Sequence, residues 1–395
     1  MIEELINKKR IKIFFQPIIS IKNKNILAFE ALTRAYDDNG DFISPMYLFK
    51  QAQKENLGNV LDSYVRELAL DKFISYHKKN KEILLFLNFE SSFIDSEEYY
   101  KFIDIVESKN ISPKNIVLEI KEDEIKDNTA IKKFVDLYRK HGFIIAIDDF
   151  GTGYSSFDRL ALIKPDIVKI DRSIIYDVHE NFINSEILHA VSKMCHKIGA
   201  IVLAEGVEKK DEILNCMEKD IDIFQGFYFE RPQDIIDCKI EKDIYNSIND
   251  IGDNYTERIH NVIDQKRVTL TNSENLSHKI IEEYNKNAHN LEEKLKNIII
   301  NHSHLEAIYK IDFHTGLQHQ DTIINIQDSI LFKPTRDNHD HSLKEYYFIA
   351  KNSSRCNYLS TKYISKASGN MCRTYSTIVE IKDTKYILCL DIVTH

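Results

Sequence analysis

The chain has 395 residues, 43% of them apolar and 29% charged, with a formal net charge of −9. That length accommodates two or three domains and ample core. The acidic balance excludes a protein that lives on the phosphate backbone of duplex nucleic acid, and 11 glycines and 6 prolines are too few for low-complexity tracts.

The stretch Met1 to Ser20 sets charges before an apolar run, but Gln16 and Pro17 interrupt it, which makes a poor signal peptide. No apolar run reaches the ~18 residues of a membrane helix, so no membrane partner is expected. Cys195, Cys216, Cys238, Cys356, Cys372 and Cys389 form no C-x-x-C pair, and their scatter fits a reducing cytoplasm.

Up to residue 235 short apolar runs alternate with amphipathic stretches. In order the runs are IKIFFQPII, ILAFEAL, ILLFLN, NIVLEI, FIIAIDD, DIVKID, AIVLAE and DIFQGF. Their length and β-branched content predict buried strands. The stretches from Thr129 to His141 and from Ser185 to Ile198 predict helices between them. Eight strands alternating with helices predict a closed (β/α)8 barrel of the TIM type.

Most of these runs finish on a polar residue: Asn88, Glu119, Asp148 with Asp149, Lys169, Glu205 and Gln225, while Glu30 lies inside the second run. In a barrel the strand C-termini face one mouth, so these side chains converge. Carboxylates gathered in one cleft repel one another unless a cation stands between them. An all-oxygen donor set suits Mg²⁺ or Mn²⁺, and adjacent aspartates could serve two ions. Taken singly, each acid could be a helix cap or a solvated loop residue; the joint pattern resists that explanation.

After Pro232 the apolar spacing becomes helical, through Ile248–Ile263 and again through Leu276–Ile299. The TNSE stretch from Thr271 to Glu274 reads as a capping box that opens the second helix. From His304 on, YYFIAK, YLSTKYIS, STIVEIK and KYILCLDIV predict antiparallel strands of a small α+β module. The predicted domains are a barrel over 1–240, a helical connector over 241–303 and the small module over 304–395. His314, His319, His339 and His341 read better as surface loop histidines than as metal ligands.

The ordered motifs FFQPIIS, FEALTR, LNFESS, LEIKE, AIDDFGTGYSSFDRL, PDIVKIDRSII, AEGVE and QGFYFERP resemble the EAL-domain phosphodiesterases of cyclic di-GMP over residues 8–233. The resemblance implies a barrel whose first strand pair is antiparallel. It implies hydrolysis of one phosphodiester of cyclic di-GMP to linear pGpG with two divalent ions. Glu30, Asn88, Glu119 and Asp148 would hold the first ion, and Asp148 and Asp149 the second. Lys169 would orient the attacking water, and Glu205 would be the general base. Arg34 would contact substrate phosphate and Gln225 would complete the substrate site. Glu208 and Glu122 would support from outside, Glu122 by anchoring the DDFGTG loop. Thr33, Phe89 with Glu90, and Lys121 depart from the family pattern without replacing an expected ligand. The alternative is a receptor that binds cyclic di-GMP without cleaving it. The family resemblance also implies a homodimer. The C-terminal module resembles, more loosely, Cache or PAS-like sensor domains, which implies an unidentified small ligand; a plain packing module is the alternative.

Overall fold

The computed structural model describes residues 1–89, 99–121, 128–151, 157–286, 290–324, 334–353, 357–365 and 369–394. The chain divides into two compact units, Met1–Arg258 and Ile259–His395.

The first unit is a closed barrel. Its strands are β1 (Ile11–Ser20), β2 (Asn25–Tyr36), β3 (Phe42–Ile43), β4 (Leu84–Phe89), β5 (Ile116–Lys121), β6 (Ile144–Phe150), β7 (Ile167–Ile170), β8 (Ile201–Ala204) and β9 (Ile223–Phe224). The hydrogen-bonded order is β1-β9-β8-β7-β6-β5-β4-β2, and β1 pairs β2 to close the ring, with β3 as a short addition to β2. All eight expected runs are barrel strands. β1 runs antiparallel to both neighbours, whereas β2 and β4 to β9 are mutually parallel. The short connection from Ile21 to Lys24 forces the antiparallel hairpin, because a parallel pair needs a crossover of about a dozen residues.

Two apolar layers follow from the strand period of two. Outward residues pack under helices such as Gly58–Lys79, Asn128–Lys140 and Phe182–Lys197. Inward residues Ile18, Ala28, Phe86, Val117, Ala146, Ile167, Leu203 and Ile223, one from each barrel strand, form a plug. The plug closes one end of the barrel and leaves the strand C-termini open to chemistry.

The helix Cys238–Asn285 is continuous for 48 residues. The expected break at Thr271–Glu274 does not occur. Ser273 Oγ instead donates back to the Thr269 carbonyl at 2.7 Å and Ser277 Oγ to the Glu274 carbonyl at 2.7 Å, so these hydroxyls turn onto their own helix rather than cap a new one. A shorter helix, Leu291–Asn301, follows. No helix of the described residues is long and apolar enough to cross a membrane.

The second unit is an antiparallel sheet of β10 (Leu305–Asp312), β11 (Ile323–Ile324), β12 (Asn357–Leu359), β13 (Tyr363–Ile364), β14 (Met371–Ile381) and β15 (Thr384–Val393). Its order is β11-β10-β15-β14-β12, with β13 also on β14. Leu276, Ile280, Tyr284, Leu295 and Ile299 of the helices pack on one face, against Ile308, Leu388, Leu390 and Ile392 among others. The expected strand YYFIAK is instead part of the helix Glu345–Asn352. Burial decides it: Tyr347 and Ala350, three apart, pack together with Ile387 and Cys389 on the other face, and the Tyr347 hydroxyl donates to the Phe313 carbonyl at 3.0 Å.

Candidate active site

The plug explains the site. Moving two residues along each parallel strand returns to the inward face. From Ala28, Phe86, Val117, Ala146, Ile167, Leu203 and Ile223 that step reaches Glu30, Asn88, Glu119, Asp148, Lys169, Glu205 and Gln225. On antiparallel β1 the step runs backwards, from Ile18 to Gln16. One polar residue per strand therefore forms a ring above the plug.

Lys169 is the hub. Its side chain is 1% exposed. Its Nζ is ion-paired with Glu119, lies 2.9 Å from Asp148 Oδ1 and 2.5 Å from Glu205 Oε1, and stands 3.8 Å from Glu30 Oε2. Burial alone would lower its pKa, but Asp148, Glu119, Glu205 and Glu30 outweigh burial and hold it well above the usual lysine value. Glu119 is fully buried, and burial together with Glu30 pushes its carboxyl well up. Glu205 is pushed up to about 8, by burial first and then by Asp148 and Glu30, against the pull of Lys169. One cation thus faces four carboxylates.

Amides fix the rim. Asn88 Nδ2 donates to Glu30 Oε1 at 3.1 Å, and Gln225 Nε2 donates to Glu30 Oε2 at 2.5 Å and to Gln16 Oε1 at 3.1 Å. Gln16 Nε2 donates in turn to the Glu230 carbonyl at 3.2 Å. Gly226 lets this corner close: a Cβ there would lie 2.1 Å from the Val207 carbonyl oxygen.

Asp148 and Asp149 are neighbours, and a regular strand would point them to opposite faces. The β6–β7 register shifts between Ile147 and Phe150, and Asp149 takes φ of +56°. This irregularity brings carboxylate oxygens of Asp148, Asp149 and Glu205 within 4.8 Å of one another. Asp149 is also pushed up, by burial and by Asp148.

Glu208 sits outside the ring, its Oε2 2.9 Å from Arg172 Nη2, and Arg172 also donates to the Gly206 carbonyl. Buried Glu212 accepts from the backbone N–H groups of Glu208 at 2.9 Å and Lys209 at 3.0 Å, holding the same loop. Arg34 lies four residues beyond Glu30 on β2. Its guanidinium rests over Phe14 and Phe42, at 5.8 and 6.0 Å from the ring centroids, and Nη1 donates to the Thr33 carbonyl at 2.8 Å. Glu122 and Glu90 lie outside the described residues. Gln16 and Glu212 went unassigned in the sequence. Gln16 precedes its plug residue instead of following it, so only the reversed direction of β1 reveals its place.

The donor set fits divalent cations. Oxygen ligands from Glu30, Glu119 and Glu205 fall within 4.8 Å of one another, as do those of Asp148, Asp149 and Glu205. Glu119 Oε2 is buried without a hydrogen-bond partner among the described residues, which leaves a lone pair free for a cation. Hard oxygens in this number suit Mg²⁺, Mn²⁺ or Ca²⁺.

Fold and site together define an α/β barrel with a buried, mainly acidic cleft at the C-terminal ends of its strands. Within that class the chain belongs to the EAL domain family, whose model matches residues 1–232. It is 29% identical over 243 residues to a probable cyclic di-GMP phosphodiesterase, PdeG of Escherichia coli, covering 60% of this chain and 47% of PdeG. It is 28% identical over 225 residues to the cyclic di-GMP phosphodiesterase PdeA of Borreliella burgdorferi, covering 56% of this chain and 34% of that one. The chain thus spans half or less of the length of these curated relatives. Among solved structures, the Bacillus subtilis YkuI protein, in complex with cyclic di-GMP and calcium, matches with a TM-score of 0.80 at 21% identity over 99% of this chain and 98% of its own. Klebsiella pneumoniae BlrP1, in a manganese and cyclic di-GMP complex, matches with 0.52 at 27% identity over 57% of this chain and 56% of its own.

Proposed function

We propose that the barrel hydrolyses one phosphodiester bond of cyclic di-GMP, giving linear pGpG. The observation that carries this reading is the ring of Glu30, Glu119, Asp148 and Glu205 around Lys169, with Asp149 turned into the same cleft. The relatives named as phosphodiesterases supply the substrate class. Glu30, Asn88, Glu119 and Asp148 would hold one divalent ion, and Asp148 and Asp149 a second, Mg²⁺ or Mn²⁺. Such ions, when bound, neutralise charge on the phosphate oxygens.

The chain's own groups do the rest. Glu205 is the most exposed of the carboxylates paired with Lys169, at 17%; cations held beside it would offset the burial and the neighbouring acids that raise its pKa, and as the carboxylate it takes a proton from the attacking water. Lys169 keeps its proton and stabilises charge developing on the phosphate. Gln225 and Gln16 hold Glu30 in its rotamer. Arg34 swings from its aromatic rest position to a substrate phosphate, and Glu208 with Glu122 steadies the flanking loops.

The second unit, on this reading, is a Cache or PAS-like sensor coupled to the barrel, and the protein acts as a homodimer. Support comes from the cavity on one sheet face and the exposed Ile263 and Val268 of the helix Cys238–Asn285. The test is purified protein with cyclic di-GMP and Mn²⁺ or Mg²⁺, followed by chromatography. pGpG that disappears with EDTA is expected. Cyclic di-GMP bound but left intact points to the receptor alternative and overturns hydrolysis.

A further inference from the structure

The second unit carries a cavity of about 490 Å³. It lies on the sheet face opposite Leu388, Leu390 and Ile392, because Asp391 in its lining alternates with them along β15. That face is divided. Ile387 and Cys389 are covered by Tyr347 and Ala350. One step of two further, Asp391 turns the face acidic.

Asp391 is 8% exposed and is held by hydroxyls. Thr374 Oγ1 donates to Oδ1 at 2.8 Å, the Tyr309 hydroxyl lies 3.4 Å from the same oxygen, and the Tyr363 hydroxyl is 2.7 Å from Thr374 Oγ1. A second buried carboxylate, Glu306, stands close enough to raise the Asp391 pKa further, and it accepts from Asn370 Nδ2 at 3.1 Å. Among the described residues no lysine, arginine or histidine forms an ion pair with Asp391. Burial pushes its carboxyl up to about 6, which still leaves it ionised at neutral pH.

The wall beside it is aromatic. Tyr309 stacks on His341 at 5.5 Å and meets Tyr346 edge-on at 6.2 Å. His341, expected at the surface, is 2% exposed. Its Nδ1 is 2.7 Å from the Tyr346 hydroxyl and its Nε2 is 2.9 Å from Gln318 Oε1. Burial, then His339 and Lys344, push its pKa down to about 4, so it brings no charge. Exposed Lys344 and Glu345 also line the cavity with formal charges that cancel, and Glu345 Oε1 accepts from the Tyr358 hydroxyl at 2.6 Å.

A negative floor beneath an aromatic wall repels anions and attracts cations. We propose that this cavity binds a small organic molecule through a protonated amine, which donates to Asp391 and lies against the Tyr309–Tyr346 wall. The amine supplies a positive charge to Asp391, which lines the cavity and is held by hydroxyls, and those of Tyr363 and Thr374 orient the carboxylate that receives it. The proposal rests on the reading of the second unit as a ligand-binding module and is independent of the barrel's chemistry.

The test is calorimetric titration of the full chain with phenethylamine, phenethyl alcohol and hydrocinnamate, three probes of similar size carrying positive, zero and negative charge. The amine is expected to bind at least about tenfold more tightly than either other probe. Asp391→Asn should remove that preference, and Tyr346→Leu should weaken the amine alone. Equal or stronger binding of the alcohol or the carboxylate, undiminished amine binding by Asp391→Asn, or no amine binding at millimolar concentration would overturn the proposal. Turnover of cyclic di-GMP is followed in parallel. Its loss with amine binding intact strikes only the barrel reading, and its persistence without amine binding strikes only this one.

Discussion

At the scale of single residues the site is one buried cation surrounded by acids, and its side chains fail in different ways. Glu205→Gln removes the proton acceptor and keeps an oxygen in place. Turnover is expected to fall about 10²–10⁴-fold while cation-dependent binding of cyclic di-GMP survives, which kinetics and equilibrium binding on the same preparation will show. Lys169→Met should act on stability instead. With chelator present it leaves fully buried Glu119 without its partner, and breaking a buried pair typically costs about 3–5 kcal/mol. Thermal melts in EDTA and in Mn²⁺ test this: a large loss in EDTA that Mn²⁺ largely restores is expected. Equal melting of variant and parent in EDTA would remove Lys169 from its place as hub.

At the scale of elements, the irregularity in β6 and the buried lysine of β10 make the clearest cases. Asp149 sits in the left-handed region, where glycine is at ease and a β-carbon is not. Asp149→Gly and Asp149→Ala both delete the carboxylate and should weaken cation binding equally. Asp149→Ala should in addition be less stable than Asp149→Gly by about 1 kcal/mol, measured by urea unfolding. Equal stabilities would mean the backbone relaxes there at no cost. Lys310 is 5% exposed and faces Tyr284 and Tyr386 at 4.5 and 5.0 Å. Burial pushes its pKa down to about 8, so the folded state holds the charged form at a penalty at pH 7. Lys310→Met keeps the stem and drops the charge, and the second unit should melt several degrees higher. A lower melting point would show that the contacts with Tyr284 and Tyr386 outweigh the burial.

At the scale of the whole molecule, the helix Cys238–Asn285 belongs to both units in packing terms. Ile244, Ile248 and Ile251 lie in the barrel core, and Arg258 Nε reaches Glu218 Oε1 at 2.7 Å. Leu276, Ile280 and Tyr284 lie in the core of the second unit. A barrel fragment therefore ends after Arg258, not before Ile244. Cut there, it should keep the chemistry but change turnover several-fold or change oligomeric state, since coupling between units is typically worth about 1–3 kcal/mol. Light scattering and matched kinetics on the full chain and the fragment decide it. A monomeric full chain with kinetics identical to the fragment would leave the second unit without a regulatory part.

The sequence by itself determined the barrel strands and seven of the eight polar positions above the plug. Buried parallel strands are short apolar runs, and an apolar residue followed two places on by a polar one marks where core gives way to cleft. Tertiary structure decided what that local pattern cannot carry. Gln16 joins the ring only because β1 runs backwards. Asp149 joins Asp148 only because the strand bulges between Ile147 and Phe150. Residues Tyr346 to Lys351 are helical because Tyr347 and Ala350 must meet one sheet face, and Thr271 to Glu274 stay helical because nothing in the folded chain ends the helix there. Strand direction, bulges and the choice between helix and strand in an aromatic-rich segment depend on which surfaces meet. Those surfaces are brought together by parts of the chain far apart in sequence.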